Sequence, residues 1–125
     1  MLKMLIIEDN ENIKKELIDF LSKYGYEAYG IDDFKNIINL SVESNPDLIL
    51  LDINLPYYDG YYVCREIRRI KDIPIIIVTS RDSDMDEIMS INFGADDFIT
   101  KPYNTQVLLA RIGAVLRRTK AQVLE

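Results

Sequence analysis

The chain has 125 residues, 48% of them apolar and 29% charged, a composition that suits one folded domain and leaves too few residues for two. Fifteen basic residues against 21 acidic ones leave a net charge of −6, so this segment lacks the basic face that gripping nucleic acid requires. It has no histidine, which removes imidazole general bases, histidine-ligated zinc and phosphohistidine from the available chemistry. A single cysteine, Cys64, excludes an internal disulfide and a cysteine-rich metal site, and it reads as a small core residue. The longest apolar run, over 73–78, falls far short of the roughly 20 residues that a bilayer span needs. Glu8 comes too early for a signal-peptide core, and a cytoplasmic setting is expected.

Met4-Leu5-Ile6-Ile7 is short and continuously apolar, as a strand buried on both faces should be. Asn10 caps a predicted helix with Ile13, Leu17, Phe20, Leu21 and Tyr24 on one stripe, and Gly25 ends it. A weaker strand is predicted over 27–31. Asp32 or Asp33 then caps a helix bearing Phe34, Ile37, Ile38 and Val42, closed by Pro46. Leu48-Ile49-Leu50-Leu51 is a third strand, Asp59-Gly60 a turn, and Val63, Ile67 and Ile70 mark a third helix. Ile75-Ile76-Ile77-Val78 is a fourth strand entered through Pro74, which suits a strand's first residue. A fourth helix is predicted over 84–93, stopped by Gly94. Phe98-Ile99 is a short fifth strand leading to Lys101-Pro102. The last helix starts near Asn104, carries Leu108, Ile112, Val115 and Leu116, and ends at Arg117-Arg118. Five strand-helix pairs with short connections predict an α/β fold, a flavodoxin-like three-layer (βα)5 open parallel sheet. The strand order 2-1-3-4-5 is adopted by analogy with that class. A barrel would need eight such pairs.

Ligands of open parallel sheets bind beyond the carboxyl ends of the strands. Polar residues gather at that edge: Glu8 and Asp9 after the first strand, Asp52 and Asn54 after the third, Thr79 and Ser80 after the fourth, Lys101 after the fifth. Taken singly, each is an ordinary cap, turn former or surface residue. Four separate loops supplying the right types at one edge point instead to a shared pocket. Three carboxylates gathered there repel one another without a cation, and an oxygen-only set suits Mg2+. The hydroxyl and the ammonium are then placed to meet an anion.

The pieces Glu8-Asp9, Leu51-Asp52, Leu55-Pro56, Asp59-Gly60, Thr79-Ser80, Gly94-Ala95-Asp96-Asp97-Phe98 and Lys101-Pro102 occur in a fixed order and at characteristic separations. Through them the chain resembles the receiver (phosphoacceptor) domain of two-component response regulators, over residues 1–119. The resemblance implies that Asp52 accepts a phosphoryl group from a sensor histidine kinase. It implies a Mg2+ site made by Glu8, Asp9, Asp52 and the backbone carbonyl of Asn54, with Lys101 and the Thr79 hydroxyl on phosphoryl oxygens. Phe98 takes the place of the family's switch aromatic. Such a domain is a switch that assists its own aspartyl phosphorylation and dephosphorylation rather than an enzyme acting on a separate substrate. An aspartyl phosphate brings about −2, so with Glu8 and Asp9 the pocket reaches about −4, offset by +2 from Mg2+ and +1 from Lys101.

Ala110-Arg111-Ile112 and Leu116-Arg117-Arg118 resemble the OmpR/PhoB-type branch. That likeness implies a homodimer through the fourth helix, fifth strand and fifth helix, with Asp96, Asp97, Arg111 and Arg118 in its salt bridges. It also implies a DNA-binding domain beyond a linker that begins at 120–125. Glu87 and Asn92 depart from the branch's usual charges in the fourth helix. Two rival readings fit less well. A haloacid-dehalogenase-type phosphatase needs a second acid two residues after its nucleophile, and that position is Asn54. A flavin or nucleotide binder needs a phosphate loop where Glu8-Asp9-Asn10-Glu11 would repel one, and there is no Walker sequence. Tyr57, Tyr58, Tyr61 and Tyr62 read either as partly buried loop packing or as a partner surface.

Overall fold

The computed structural model describes residues 1–124, with side chains described through Thr119. Among the described residues the apolar runs form five strands: β1 (Lys3–Ile7), β2 (Glu27–Gly30), β3 (Leu48–Leu51), β4 (Ile75–Thr79) and β5 (Asp97–Thr100). All pair in parallel in the order β2-β1-β3-β4-β5, as expected. The helices are α1 (Glu11–Lys23), α2 (Ile37–Glu43), α3 (Gly60–Ile70), α4 (Asp84–Asn92) and α5 (Thr105–Leu124). No helix among the described residues is long and apolar enough to cross a membrane.

Local chemistry sets the helix starts. Asn10 Oδ1 accepts from the N–H of Ile13 at 3.1 Å, Asp59 Oδ1 from Tyr61 at 2.8 Å, and Ser83 Oγ from Asp86 at 3.1 Å. Asn104 Oδ1 accepts from Gln106 and Val107 at 2.8 and 3.2 Å, ahead of α5. After α1 and α4 the chain turns through Gly25 and Gly94, at φ +89° and +103°, a conformation that favours glycine.

Alternate strand residues fill two cores. Leu5, Ile7, Ile49, Leu51, Ile75, Ile77 and Phe98 pack with Ile37, Val63, Cys64 and Ile67 on one face of the sheet. Met4, Ile6, Leu48, Leu50, Ile76, Val78 and Ile99 pack with Leu17, Leu21, Leu108, Ile112 and Val115 on the other. Each large aliphatic side chain buried this way stabilises the fold by roughly 1.5–3 kcal/mol, which holds the strand ends as a rigid rim. The register then places chemistry. Ile7 stands beside Leu51, so Glu8 and Asp52 leave the sheet side by side; Thr79 stands beside Thr100, one residue before Lys101.

Several boundaries differ from expectation. Asp33 caps a 3-10 helix over Phe34–Asn36, taking both the amide and the side-chain N–H of Asn36, so α2 begins only at Ile37. Asp32 pairs with Lys14 instead. Tyr24 lies beyond the last residue of α1 and is exposed. Ile70 is exposed too, because the chain leaves α3 in an extended conformation at Lys71 and Ile73 is the residue buried in the core there. Helix α5 runs past Arg117-Arg118 to Leu124, since that stretch holds neither glycine nor proline. Glu125 and the side chains of 120–124, part of the expected linker, lie outside the described residues.

Gly60 is fixed by close approach. Its N–H donates to the Ile53 carbonyl at 2.8 Å, and a Cβ there would meet Asp52 O at 2.4 Å and Ile53 Cα at 2.5 Å. All the atoms it would meet are main chain of Asp52 and Ile53, with no flexible side chain to yield. Gly60→Ala should therefore destabilise the domain by about 1–3 kcal/mol, read from the midpoint of urea unfolding. An unchanged midpoint would show that the loop after β3 yields without cost.

Candidate functional site

The site is built at the carboxyl ends of β1, β3, β4 and β5. Asp52 leaves β3 with its N–H bonded to the Ile7 carbonyl at 3.0 Å. Its Oδ1 accepts from the amides of Ile53 and Asn54 at 2.7 and 3.3 Å. Glu8 leaves β1, and its Oε2 accepts from the Asn10 amide at 3.1 Å. Lys101 reaches in from the end of β5 and bonds both acids, at 2.5 Å to Glu8 Oε1 and 3.0 Å to Asp52 Oδ2. Glu8 and Asp52 are buried, Asp9 is exposed, and each of the three offers a carboxylate oxygen within 4.8 Å of the others.

Three carboxylates against one ammonium leave a formal charge of −2 at a site where two of the three acids are buried. An all-oxygen donor set with excess negative charge fits a hard divalent cation, which the ammonium only partly replaces. The titration behaviour of Glu8 and Lys101 reflects burial first and their charged neighbours second. Burial pushes the Glu8 carboxyl above the usual range, with the Lys101 and Asn10 hydrogen bonds pulling the other way and the Asp52 charge adding to the rise. Burial favours losing the Lys101 proton, but its hydrogen bonds to Glu8 and Asp52 outweigh that, and its pKa rises above 10.5. The Lys101 contribution to stability is thus complete at neutral pH and is lost only as pH climbs through its raised value. Glu8 acts in the opposite sense, because its ionised form is less favourable in the folded chain than in the unfolded one. Stability therefore falls as pH rises from about 4.5 through the raised Glu8 value.

The remaining expected residues occupy the same rim or its neighbourhood. Thr79 ends β4, fully buried, and its Oγ1 accepts from the Arg81 amide at 3.3 Å. Asn54 is exposed, with its Oδ1 accepting from Arg81 Nε at 3.1 Å. Ser80 is exposed beside Thr79. Phe98 lies mid-strand beside Ile77, buried in the core under α3 and α4. The four charges expected on a dimer face are engaged within the chain. Asp96 Oδ2 takes Arg68 at 2.7 Å and the Ile75 amide at 2.9 Å; Arg111 pairs with Asp97 at 3.0 Å; Arg118 bonds the Asp96 carbonyl at 3.4 Å.

The tyrosines divide. Tyr61 is buried and donates to Asp86 Oδ1 at 2.7 Å, Tyr58 stacks on Tyr62, and Tyr57 stands exposed at φ +69°. Cys64 is buried, and burial pushes its thiol up to about 12, so it is unreactive at neutral pH. Two basic residues with tertiary partners escaped sequence reading. Arg81 was hidden as a generic loop arginine, although it follows Thr79 by two residues. Lys14 is buried on α1, paired with Glu11 and Asp32. The only sequence trace of Lys14 is Gly30, where a Cβ would meet Lys14 Cδ at 2.7 Å.

As burial disfavours the ionised Glu8 carboxylate, Glu8→Gln should raise the thermal midpoint in chelator at neutral pH. A lower midpoint would mean that the Lys101 ion pair outweighs burial at this position.

Comparison with known proteins places this geometry. Residues 4–113 match the response regulator receiver domain family. The transcriptional regulatory protein YxdJ of Bacillus subtilis is 44% identical over 116 residues, covering 93% of this chain and 51% of its own length. The sensory transduction protein BceR of the same organism is 43% identical over 118 residues, covering 94% and 51%. The chain thus spans about half the length of the curated relatives it matches. Among solved structures, the BeF3-activated N-terminal receiver domain of Klebsiella pneumoniae RstA superposes with a TM-score of 0.87 at 36% identity, covering 92% of this chain and 98% of that one. The chain belongs to the receiver-domain family of two-component response regulators, and its resemblance lies with the OmpR/PhoB-type branch.

Proposed function

We propose that the domain takes a phosphoryl group onto Asp52 from a sensor histidine kinase, with Mg2+ as its cofactor. The observation that carries this reading is the Lys101 amine bonded to both Glu8 and Asp52, with an Asp9 oxygen within 4.8 Å of both acids. Glu8, Asp9, Asp52 and the backbone carbonyl of Asn54 hold the ion, which supplies positive charge against the incoming phosphoryl oxygens. An Asp52 carboxylate oxygen attacks phosphorus in line with the P–N bond of the kinase phosphohistidine. That bond breaks, its electron pair returns to the imidazole nitrogen, and an acyl phosphate forms on Asp52. The Asp52 hydrogen bonds from the Ile53 and Asn54 amides fix the carboxylate plane beforehand, so little reorganisation remains. Lys101 then exchanges its Asp52 contact for a phosphoryl oxygen. Thr79 Oγ1 already accepts a hydrogen bond, which leaves its own proton to donate to another phosphoryl oxygen.

Signalling follows from the displacement of Thr79. It draws on the loop before α4 and on Phe98, the switch aromatic one strand away. Residues 1–119 form the receiver, with a linker starting at 120–125. The α4, β5 and α5 face carries the output as a homodimer contact. Met85, Ile88 and Ile91 of α4 and Val107 of α5 are exposed there and supply apolar area. Asp96, Asp97, Arg111 and Arg118 join such a contact only by exchanging the partners they hold within the chain. The relatives are about twice as long, and YxdJ is named a transcriptional regulatory protein. On this reading the full protein regulates transcription in the cytoplasm through a DNA-binding domain joined after α5.

Intact-mass measurement after exposure to acetyl phosphate and Mg2+ should show one added phosphoryl group on the native protein and none on Asp52→Asn. Persistent labelling of that variant under the same conditions would refute the assignment of Asp52.

A further inference from the structure

Arg81 is where the loops around Asp52 meet the start of α4. Its backbone N–H donates to Thr79 Oγ1 at 3.3 Å, and its Nε donates to Asn54 Oδ1 at 3.1 Å. Its guanidinium lies 3.7 Å from Asp86 Oδ1 and 3.9 Å from Asp59 Oδ2, with the Tyr61 ring centroid 6.0 Å away. Asp86 is itself held in place. The Tyr61 hydroxyl donates to its Oδ1 at 2.7 Å and Ser83 Oγ to its Oδ2 at 2.6 Å. Tyr61 in turn is buried against Phe93, with ring centroids 5.8 Å apart. One side chain therefore joins the loop after β3, the first turns of α3 and α4, and, through its own amide, the Thr79 hydroxyl.

No single tie is strong, since the Arg81 side chain is 39% exposed and such pairs are weak in water. Their effect comes from acting together on one loop. If the Thr79 hydroxyl moves toward a phosphoryl oxygen, the Arg81 amide loses its acceptor and residues 80–83 must shift. A shift large enough to draw Nε from Asn54 and the guanidinium from Asp86 would confine these contacts to the unphosphorylated arrangement, and whatever favours that arrangement weakens phosphoryl binding by the same factor. We propose that Arg81 is a positioning residue that latches the unphosphorylated arrangement by tying the Asn54 loop to α4. This rests on the reading of Asp52 as phosphoacceptor. Arg81 so sets how readily the domain switches, without touching the transferred group.

The test uses the full chain with beryllofluoride and Mg2+ as the phosphoryl probe, read by titration calorimetry. Hydrogen exchange over 84–89 is followed in parallel without either. Arg81→Ala should bind beryllofluoride about threefold to tenfold more tightly and exchange faster in the first turn of α4. Arg81→Lys should behave like Arg81→Ala, because an ammonium lacks the planar fork that spans Asn54 and Asp86. Tyr61→Phe, which removes one hydroxyl and keeps the ring, should shift affinity in the same direction by less. Weaker binding in Arg81→Ala would make Arg81 a phosphoryl contact and overturn the latch, as would unchanged binding. Failure of the unsubstituted protein to bind beryllofluoride would overturn the phosphoacceptor reading itself, and the latch with it.

Discussion

Everything at the active edge follows from a confined imbalance of charge. Glu8 and Asp52 leave adjacent strands side by side, Asp9 stands next to them, and Lys101 is bonded to both buried acids. Like charges this close, two of them buried, are unfavourable unless something compensates them. Burial first, and the Asp52 charge after it, raises the Glu8 carboxyl above its ordinary range, while hydrogen bonds from both acids raise Lys101 against its own burial. A pocket in this condition fits a divalent cation.

The rest of the fold keeps that unfavourable cluster together. Buried aliphatic side chains on both faces of the sheet fix the strands, and the strand register fixes which residues emerge as neighbours. Gly60 lets α3 begin against the backbone of Asp52 and Ile53, so main chain packs directly on the loop after β3. Thr79 and Arg81 sit on the opposite, β4 side of Asp52, where side-chain contacts rather than backbone packing hold the loop.

The sheet and the acidic pocket were legible in the sequence because both depend on short-range regularities. Continuous apolar runs of four or five residues mark strands buried on both faces, and polar residues directly after them must fall on one edge. Asp52 and Lys101 could be placed without knowing a single contact. What stayed hidden was set by tertiary partners. Ile70 keeps helical spacing with Ile67, yet the chain turns away after α3 and Ile73 is buried in its stead. Asp96 and Asp97 look like free surface charges until Arg68 and Arg111 are seen to hold them. Arg81 and Lys14 are anonymous basic residues in the sequence, because their meaning lies in acceptors drawn from other elements.

The most direct measurement of the central claim is calorimetric titration of Mg2+ into the cation-free protein at neutral pH, alongside Asp9→Asn. The account predicts a single site in the native protein whose affinity falls at least about tenfold in the variant, as loss of one carboxylate from a three-acid set requires. Absence of binding in the native protein, or equal affinity in the variant, would contradict it.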